Sequence, residues 1–369
     1  MGHLDDLKYK IGLSLIPGVG FSLVKNLVAY IGSVEGVFRE KEQNLKKIPG
    51  IGEIIAKKIV SQNVLERAEQ EIEFITKYSI QCLFYLDQDY PKRLRNCSDA
   101  PVVLYAKSTA NLNSHRVVSL VGTRSATEYG REICQSFVKS LAERPYPVLV
   151  ISGLAYGIDV AVHKACLKYD VPTIGVLAHG LDQLYPSLHK STAQKMLENG
   201  GLVTDFISGI KIDRQNFLQR NRIIAGMADA TIIVESAEKG GALVTADIAN
   251  SYNRDVFAFP GRNSDEYSRG CNKLIKNNEA ILIESLEDME KAMGWEVLYE
   301  KPATIQKQLF VELSEAEQRI VDALKVEDKM IDELCQLCEM PTSRISALLL
   351  DLEFKGLVSS LPGKMYRLR

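Results

Sequence analysis

The stretch Lys211-x-x-Arg214-x-x-Phe217-x-x-Arg220-Asn221-Arg222 gathers cations and one aromatic ring within a single predicted helix start. A guanidinium grips phosphate through two parallel hydrogen bonds, and an aromatic face stacks on an exposed base. Duplex bases are already stacked on one another, so this pairing of residue types suits a polynucleotide with open bases. A competing expectation is that Phe217 anchors the helix in the core and that Arg220 and Arg222 pair inside the fold with Asp205 or Glu235.

Glycine-bearing loops follow several apolar runs. These are Gly122-Thr123-Arg124, the segment from Ser152 and Gly153 to Gly157, His179-Gly180, Glu238-Lys239-Gly240-Gly241 and Pro260-Gly261. Glycines beside helix amino termini let an anion approach backbone N–H groups closely. Two phosphate signatures are missing. No G-x-G-x-x-G follows the first strand, and no G-x-x-x-x-G-K-[ST] occurs, which argues against an ordinary dinucleotide site and against P-loop hydrolysis. Asp159 and His163 stand four apart on a predicted helix and could form an acid–base pair, so a nucleotide-hydrolysing enzyme is the strongest catalytic alternative. The loop at Lys239-Gly240-Gly241-Ala242 only partly echoes the loop such enzymes carry. A hydrogen-bonded helix start is the expected role of Asp159 and His163. Cys335-x-x-Cys338 has no second ligand pair and reads as core rather than zinc site. No cofactor or metal is implied.

The elements that must position these residues are an alternation of strands and helices. Strands are predicted at Val117–Val121, Val148–Ser152, Thr173–Leu177, Leu202–Phe206, Thr231–Glu235, Val256–Phe259 and Ile281–Glu284. Helices fall between them at Glu128–Glu143, Asp159–Lys168, Thr192–Glu198 and Leu243–Tyr252. That order implies an α/β domain, a Rossmann-like doubly wound parallel sheet over residues 80–295, whose ligands sit beyond the carboxyl ends of the strands. Before it, residues 1–79 repeat Ile16-Pro17-Gly18-Val19-Gly20 as Ile48-Pro49-Gly50-Ile51-Gly52, each followed by an apolar-periodic helix. This resembles a helix-hairpin-helix domain. After it, a polar linker over 296–310 leads to three helices and a hairpin over 311–369, opened by the capping box Ser314-x-x-Glu317 and expected to form a winged helix.

The 369 residues carry a formal net charge of −2, so a phosphate-binding surface must come from local clustering. Residues 311–369 hold 8 basic and 11 acidic residues, a balance that phosphate would repel. The winged helix is therefore expected to serve a partner or a regulatory role, with weak DNA contact only near Lys364, Arg367 and Arg369. A duplex-reading regulator is the alternative. The seven scattered cysteines suit reduced thiols, and no apolar run is long enough to span a membrane, so a cytoplasmic protein is expected.

In order along the chain, Val121-Gly122-Thr123-Arg124, Ser152-Gly153-Leu154-Ala155-Tyr156-Gly157-Ile158-Asp159 with His163, and Gly180-Leu181-Asp182 with Tyr185-Pro186 are followed by Arg220-Asn221-Arg222-Ile223-Ile224-Ala225-Gly226. Gly241-Ala242-Leu243-Val244-Thr245-Ala246 and Ser268-x-Gly270-x-Asn272 complete the series. The series closely resembles the DprA/Smf family of DNA-processing proteins. The resemblance implies a dimeric, non-catalytic protein of natural transformation that binds and protects single-stranded DNA and assists loading of the RecA recombinase. Carried over by position, the contacts would be Arg124, Phe217, Arg220, Asn221 and Arg222, with Lys190 as a further basic contact. The glycine-loop residues Gly122, Thr123, Ser152, Gly153, Lys239, Gly240 and Gly241 join them as DNA-binding candidates. The chain departs from the family at Leu218, which often is proline, at His189, often asparagine, and at Thr204-Asp205, often Ser-Glu.

Overall fold

Isoleucine, valine and leucine crowd the central strands, and these side chains disappear almost completely from solvent on both faces of the sheet. A computed structural model describes residues 2–295, 313–325, 327–361 and 363–368. The linker expected at 296–310, Pro362 of the terminal turn and Arg369 lie outside them.

The chain divides into two units, residues 1–252 with 256–282, and residues 253–255 with 283–369. The first opens with six helices, α1 (Gly2–Leu15), α2 (Phe21–Ile31), α3 (Val34–Arg39), α4 (Glu42–Leu45), α5 (Glu53–Val60) and α6 (Leu65–Lys77). The two Pro-Gly turns are superimposable in kind: Gly18 and Gly50 both have φ of 84°, and Val19 and Ile51 each donate back three residues. A left-handed φ is cheap only for glycine, which explains the repeat. The second hairpin leans on the first repeat's helix, where Asn26 Nδ2 donates to the Pro49 carbonyl at 2.9 Å.

The strands that follow are β1 (Gln81–Phe84), β2 (Val103–Ser108), β3 (Val117–Val121), β4 (Leu149–Ser152), β5 (Thr173–Val176), β6 (Gly200–Thr204), β7 (Ala230–Ile233), β8 (Asp255–Ala258) and β9 (Ile281–Leu282). The connecting helices are α7 (Lys92–Arg95), α8 (Glu128–Ala142), α9 (Ile158–Lys168), α10 (Lys190–Met196), α11 (Arg214–Met227), α12 (Gly241–Ser251) and α13 (Arg269–Lys276). They form one nine-stranded sheet in the order β1-β2-β6-β5-β4-β3-β7-β8-β9. Strand β3 pairs in parallel with both β4 and β7, as the alternation predicted. The expectation of a parallel sheet needs one correction. β1 and β2 add an antiparallel edge, β2 pairing with β6 and β1 with β2. No long helix separates these two strands, so the strand–helix rhythm gave no sign of them.

The amino-terminal helices and the sheet share one hydrophobic core, from Ile11, Val24 and Ile59 to Phe84 and Tyr105. Polar ties accompany it. Buried Glu71 on α6 accepts from the Ser208 backbone N–H at 3.0 Å and from Arg67 at 2.9 Å.

The second unit holds α14 (Leu286–Met293), α15 (Glu315–Leu324), α16 (Ile331–Cys338) and α17 (Thr342–Phe354), with a small sheet of β10 (Lys329–Met330), β11 (Val358–Leu361) and β12 (Met365–Leu368). Ser314 and Glu317 form the expected capping box at the start of α15. Ile320, Leu334, Ile345, Leu349, Leu352 and Val358 make its core.

Candidate functional site

Strands β3 and β7 are neighbours whose onward connections run to opposite sides of the sheet, to β4 and to β8. Such a switch point leaves a crevice beyond the strand ends, where ligands of open α/β sheets bind. A cavity of about 300 Å³ lies there. It is walled by Gly122, Thr123 and Arg124 after β3, by Phe217, Arg220 and Asn221 of α11, and by Gly240 and Gly241 at the start of α12. Eight of the thirteen predicted contacts therefore converge on one cavity.

The start of α12 carries no side-chain cap, since its N-cap is Gly240. Gly240, Gly241 and Ala242 at this start line the cavity, with the positive end of the helix dipole beside it. On the opposite wall, the Arg124 guanidinium lies 5.1 Å from the centre of the Phe217 ring. The half-exposed Tyr185 meets the same ring edge-on at 5.9 Å. A cation and two aromatic rings thus form one continuous lip. Arg214, Leu218 and Thr245 also line the cavity. Sequence reasoning named Arg214 in its motif without assigning it a contact and missed Tyr185, whose place beside Phe217 depends on a long-range loop.

For Arg220 and Arg222 the structure follows the competing expectation, engagement inside the fold, with Asp205 the partner of Arg222. Successive residues of a helix are turned by about 100°, so positions two apart point about 200° away from each other and cannot hold one ligand together. Arg220 faces inward and is 4 % exposed. It donates to the carbonyls of Gly153, at 2.5 Å, and Val176. Burial lowers its pKa to about 10, which leaves it charged, while Asp159 opposes that shift. Asp159 is buried beside it and accepts from the Ala155 N–H at 3.3 Å. Burial raises the Asp159 pKa, and the Arg220 charge counters the rise. Arg222 points away from the cavity and pairs with Asp205, also donating to the Asp99 carbonyl. Both guanidinium groups are thus engaged within the fold. Arg220 still contributes to the cavity's floor.

The other predicted contacts divide similarly. Ser152 is fully buried and donates to the Leu120 carbonyl at 2.6 Å. Gly153 is buried against Arg220 and Asp159, where any Cβ would strike both side chains. The bare Gly153 makes room for Arg220. Lys190 and Lys239 are exposed, at the start of α10 and in the turn before α12, and neither lines the cavity.

Asp159 and His163 form no acid–base pair at this site. His163 is wholly buried, and its Nδ1 lies 2.8 Å from Thr173 Oγ1. The Thr173 hydroxyl spends its proton on the Val150 carbonyl, so it must accept from Nδ1–H. Nε2 then carries a lone pair with no donor, in agreement with its lack of a partner. Burial, reinforced by the charges of His189 and Arg220, pushes the His163 pKa down to about 3. An unfolded histidine takes up its proton near 6.5, so as pH falls from there toward 3 the unfolded chain binds more protons and stability drains away. Between neutrality and pH ~4.5 this one ring is expected to cost about 2–3 kcal/mol. His163→Met, which cannot titrate, should flatten the pH dependence of the urea midpoint over that interval. An identical slope in both proteins would rule out a neutral buried ring.

In the second unit the basic side chains are largely occupied. Lys355, the C-cap of α17, bridges Glu317 at 2.5 Å, and Arg367, one of the residues expected to touch DNA weakly, pairs with Asp328 at 2.6 Å. Cys335 and Cys338 are free thiols, the latter buried. Among the described residues no cluster of three His, Cys, Asp or Glu side chains could hold a metal, and no helix is long and apolar enough to cross a membrane.

Comparison with known proteins covers all three segments. The family model for DNA recombination-mediator protein A matches residues 81–294. A DprA winged-helix model matches residues 306–364, and a SAM-like helix-hairpin-helix tandem matches residues 11–62. Protein Smf of Synechocystis is 30% identical, with 98% of each chain covered. The crystal structure of DNA processing protein A from Streptococcus pneumoniae aligns with a TM-score of 0.64 at 27% identity, covering 77% of this chain and 95% of that one. A structure of the Helicobacter pylori protein, described for its single-stranded DNA binding mode, aligns at 0.52 and 25% identity over 57% of this chain and 94% of that one.

Proposed function

Because the chain belongs to the family of DNA recombination-mediator protein A, we propose that the crevice between β3 and β7 holds single-stranded DNA. Family membership makes the chain a DNA-processing mediator rather than an enzyme. The observation that carries the proposal is the lip formed by Arg124, Phe217 and Tyr185 opposite the uncapped start of α12. Amides and one guanidinium neutralise phosphate on either side, while the rings offer faces or edges to unstacked bases. None of these groups reads base identity in a groove, so binding with little sequence preference follows. The relative from Helicobacter pylori, whose published structure concerns single-stranded DNA binding, supports the same ligand here.

The DNA contacts in this reading are Gly122, Thr123, Arg124, Phe217, Asn221, Gly240 and Gly241 around the cavity, with the exposed Lys190 and Lys239 outside it as further basic contacts. Arg220 and Arg222 serve by holding α11 in place. The same reading extends to protecting incoming strands in natural transformation and passing them to the RecA recombinase, with the protein acting as a homodimer in the cytoplasm.

Titrating labelled single-stranded and duplex DNA of matched length against the wild type and Phe217→Leu tests the site. Wild type is expected to prefer single strands. Phe217→Leu should keep the fold and lose about 1–3 kcal/mol on single strands, the worth of one stacked base, with little change on duplex. Equal affinity for both forms, or an equal loss on both, would defeat the proposal.

A further inference from the structure

A second cavity, of about 440 Å³, lies between α8 and α9 on the other side of Arg124. Its cationic and aromatic lining is Arg124, Arg131, Tyr156, Lys164 and Lys168, and none of its lining residues is a carboxylate. Lys164 and Lys168 sit four apart on α9 and so share one face of that helix. Arg131 stands opposite on α8. The floor is small and apolar, with Ala126, Ala161 and Ala165 leaving room between the helices.

Four cations around one cavity repel each other unless an anion or salt shields them, so their convergence favours a polyanionic occupant. Arg131 is linked to Glu128 at 3.1 Å, but both side chains are about half-exposed or more, and a pair so wetted is readily exchanged. Tyr156 is 40 % exposed, and its ring packs edge-on against buried His189 at 5.2 Å. That contact orients the ring without covering it. The cavity therefore repeats the composition of the first site, cations with an open aromatic ring. Arg124 lines both cavities, so the two adjoin at this exposed side chain.

The geometry points to a second subsite for the same strand: single-stranded DNA leaving the crevice past Arg124 continues into the α8–α9 cavity, its phosphates facing Arg131, Lys164 and Lys168 and a base meeting Tyr156. This rests on the reading of the crevice as a single-strand site and adds a direction and a length to it. A strand too short to pass Arg124 gains nothing from the lysines, whereas a longer one gains both. The two lysines are exposed, so neutralising them leaves the fold alone.

The test compares oligothymidylates of about 5 and about 15 nucleotides, lengths that bracket a single binding groove, on the full-length protein and on Lys164→Gln/Lys168→Gln. For the longer probe, the double substitution should weaken binding roughly tenfold at low salt and reduce the slope of log affinity against log salt by about 1.4, two contacts at about 0.7 each. The shorter probe should bind both proteins within about twofold of each other, because it releases the same counterions from each. An unchanged salt slope for the longer probe, or equal weakening of both probes, would overturn the subsite while leaving the crevice intact. Failure of the wild type to bind either probe would overturn the crevice reading and the subsite with it.

Discussion

Arg220→Ala is expected to unfold the sheet-bearing unit at a temperature well below that of the wild type, with a loss of about 3–5 kcal/mol. Arg220 is 4 % exposed, and its guanidinium donates to the Gly153 and Val176 carbonyls at the ends of β4 and β5. Removing it strips two buried carbonyls of their donor and leaves Asp159 as a buried carboxylate without its countercharge. That last penalty dominates, since one orphaned charge costs more than a lost neutral hydrogen bond. Arg220→Met combined with Asp159→Asn should recover part of the loss, because it removes both charges and keeps an acceptor for the Ala155 N–H. Circular dichroism is the suitable probe, as the only tryptophan, Trp295, belongs to the other unit. Should Arg220→Ala melt like the wild type and lose only DNA affinity, the side chain acts on the ligand and the structural role assigned to it is wrong.

The case of Arg220 and Arg222 shows what one sequence could and could not disclose. Their types are those of phosphate ligands, and the motif drew attention to the correct helix. Their spacing of two residues already places them on opposite faces of that helix, so one of them had to turn away from any shared ligand. Asp205, 17 positions away, was among the carboxylates expected to pair internally and is the partner Arg222 takes, whereas the backbone carbonyls that hold Arg220, Val176 among them at 44 positions, were beyond reach. The placement of Gly122–Arg124 and Gly240–Gly241 at the carboxyl edge of the sheet was legible from the strand–helix alternation, but the strand order that makes β3 and β7 neighbours was not. Strands β1 and β2 were not legible, because they are joined by loop and one short turn of helix and enter the sheet antiparallel. The α8–α9 cavity was half legible. Lys164 and Lys168 declare a common face by their spacing, but only the packing of α8 on α9 brings Arg131 across from them.

Arg124→Ala should produce the opposite phenotype to Arg220→Ala, an intact fold with a damaged interface. Arg124 is exposed at the carboxyl end of β3, so its truncation is expected to change stability by no more than about 0.5 kcal/mol. Its ligand contact is charge-assisted, worth about 1.5–3 kcal/mol, which corresponds to a loss of roughly 10- to 100-fold in affinity for single-stranded DNA at low salt. One fewer phosphate contact should also flatten the salt dependence by about 0.7 in log affinity per log salt. Arg124→Lys restores the charge but neither the fork nor the flat face that lies 5.1 Å from the Phe217 ring, so it should recover the salt slope more fully than the affinity. Since Arg124 and Phe217 touch, Arg124→Ala with Phe217→Leu should cost less than the two separate losses combined. A salt slope identical to that of the wild type in Arg124→Ala would mean that this guanidinium meets no phosphate. The lip would then be a packing feature of the loop, and both cavities would lose the residue that joins them.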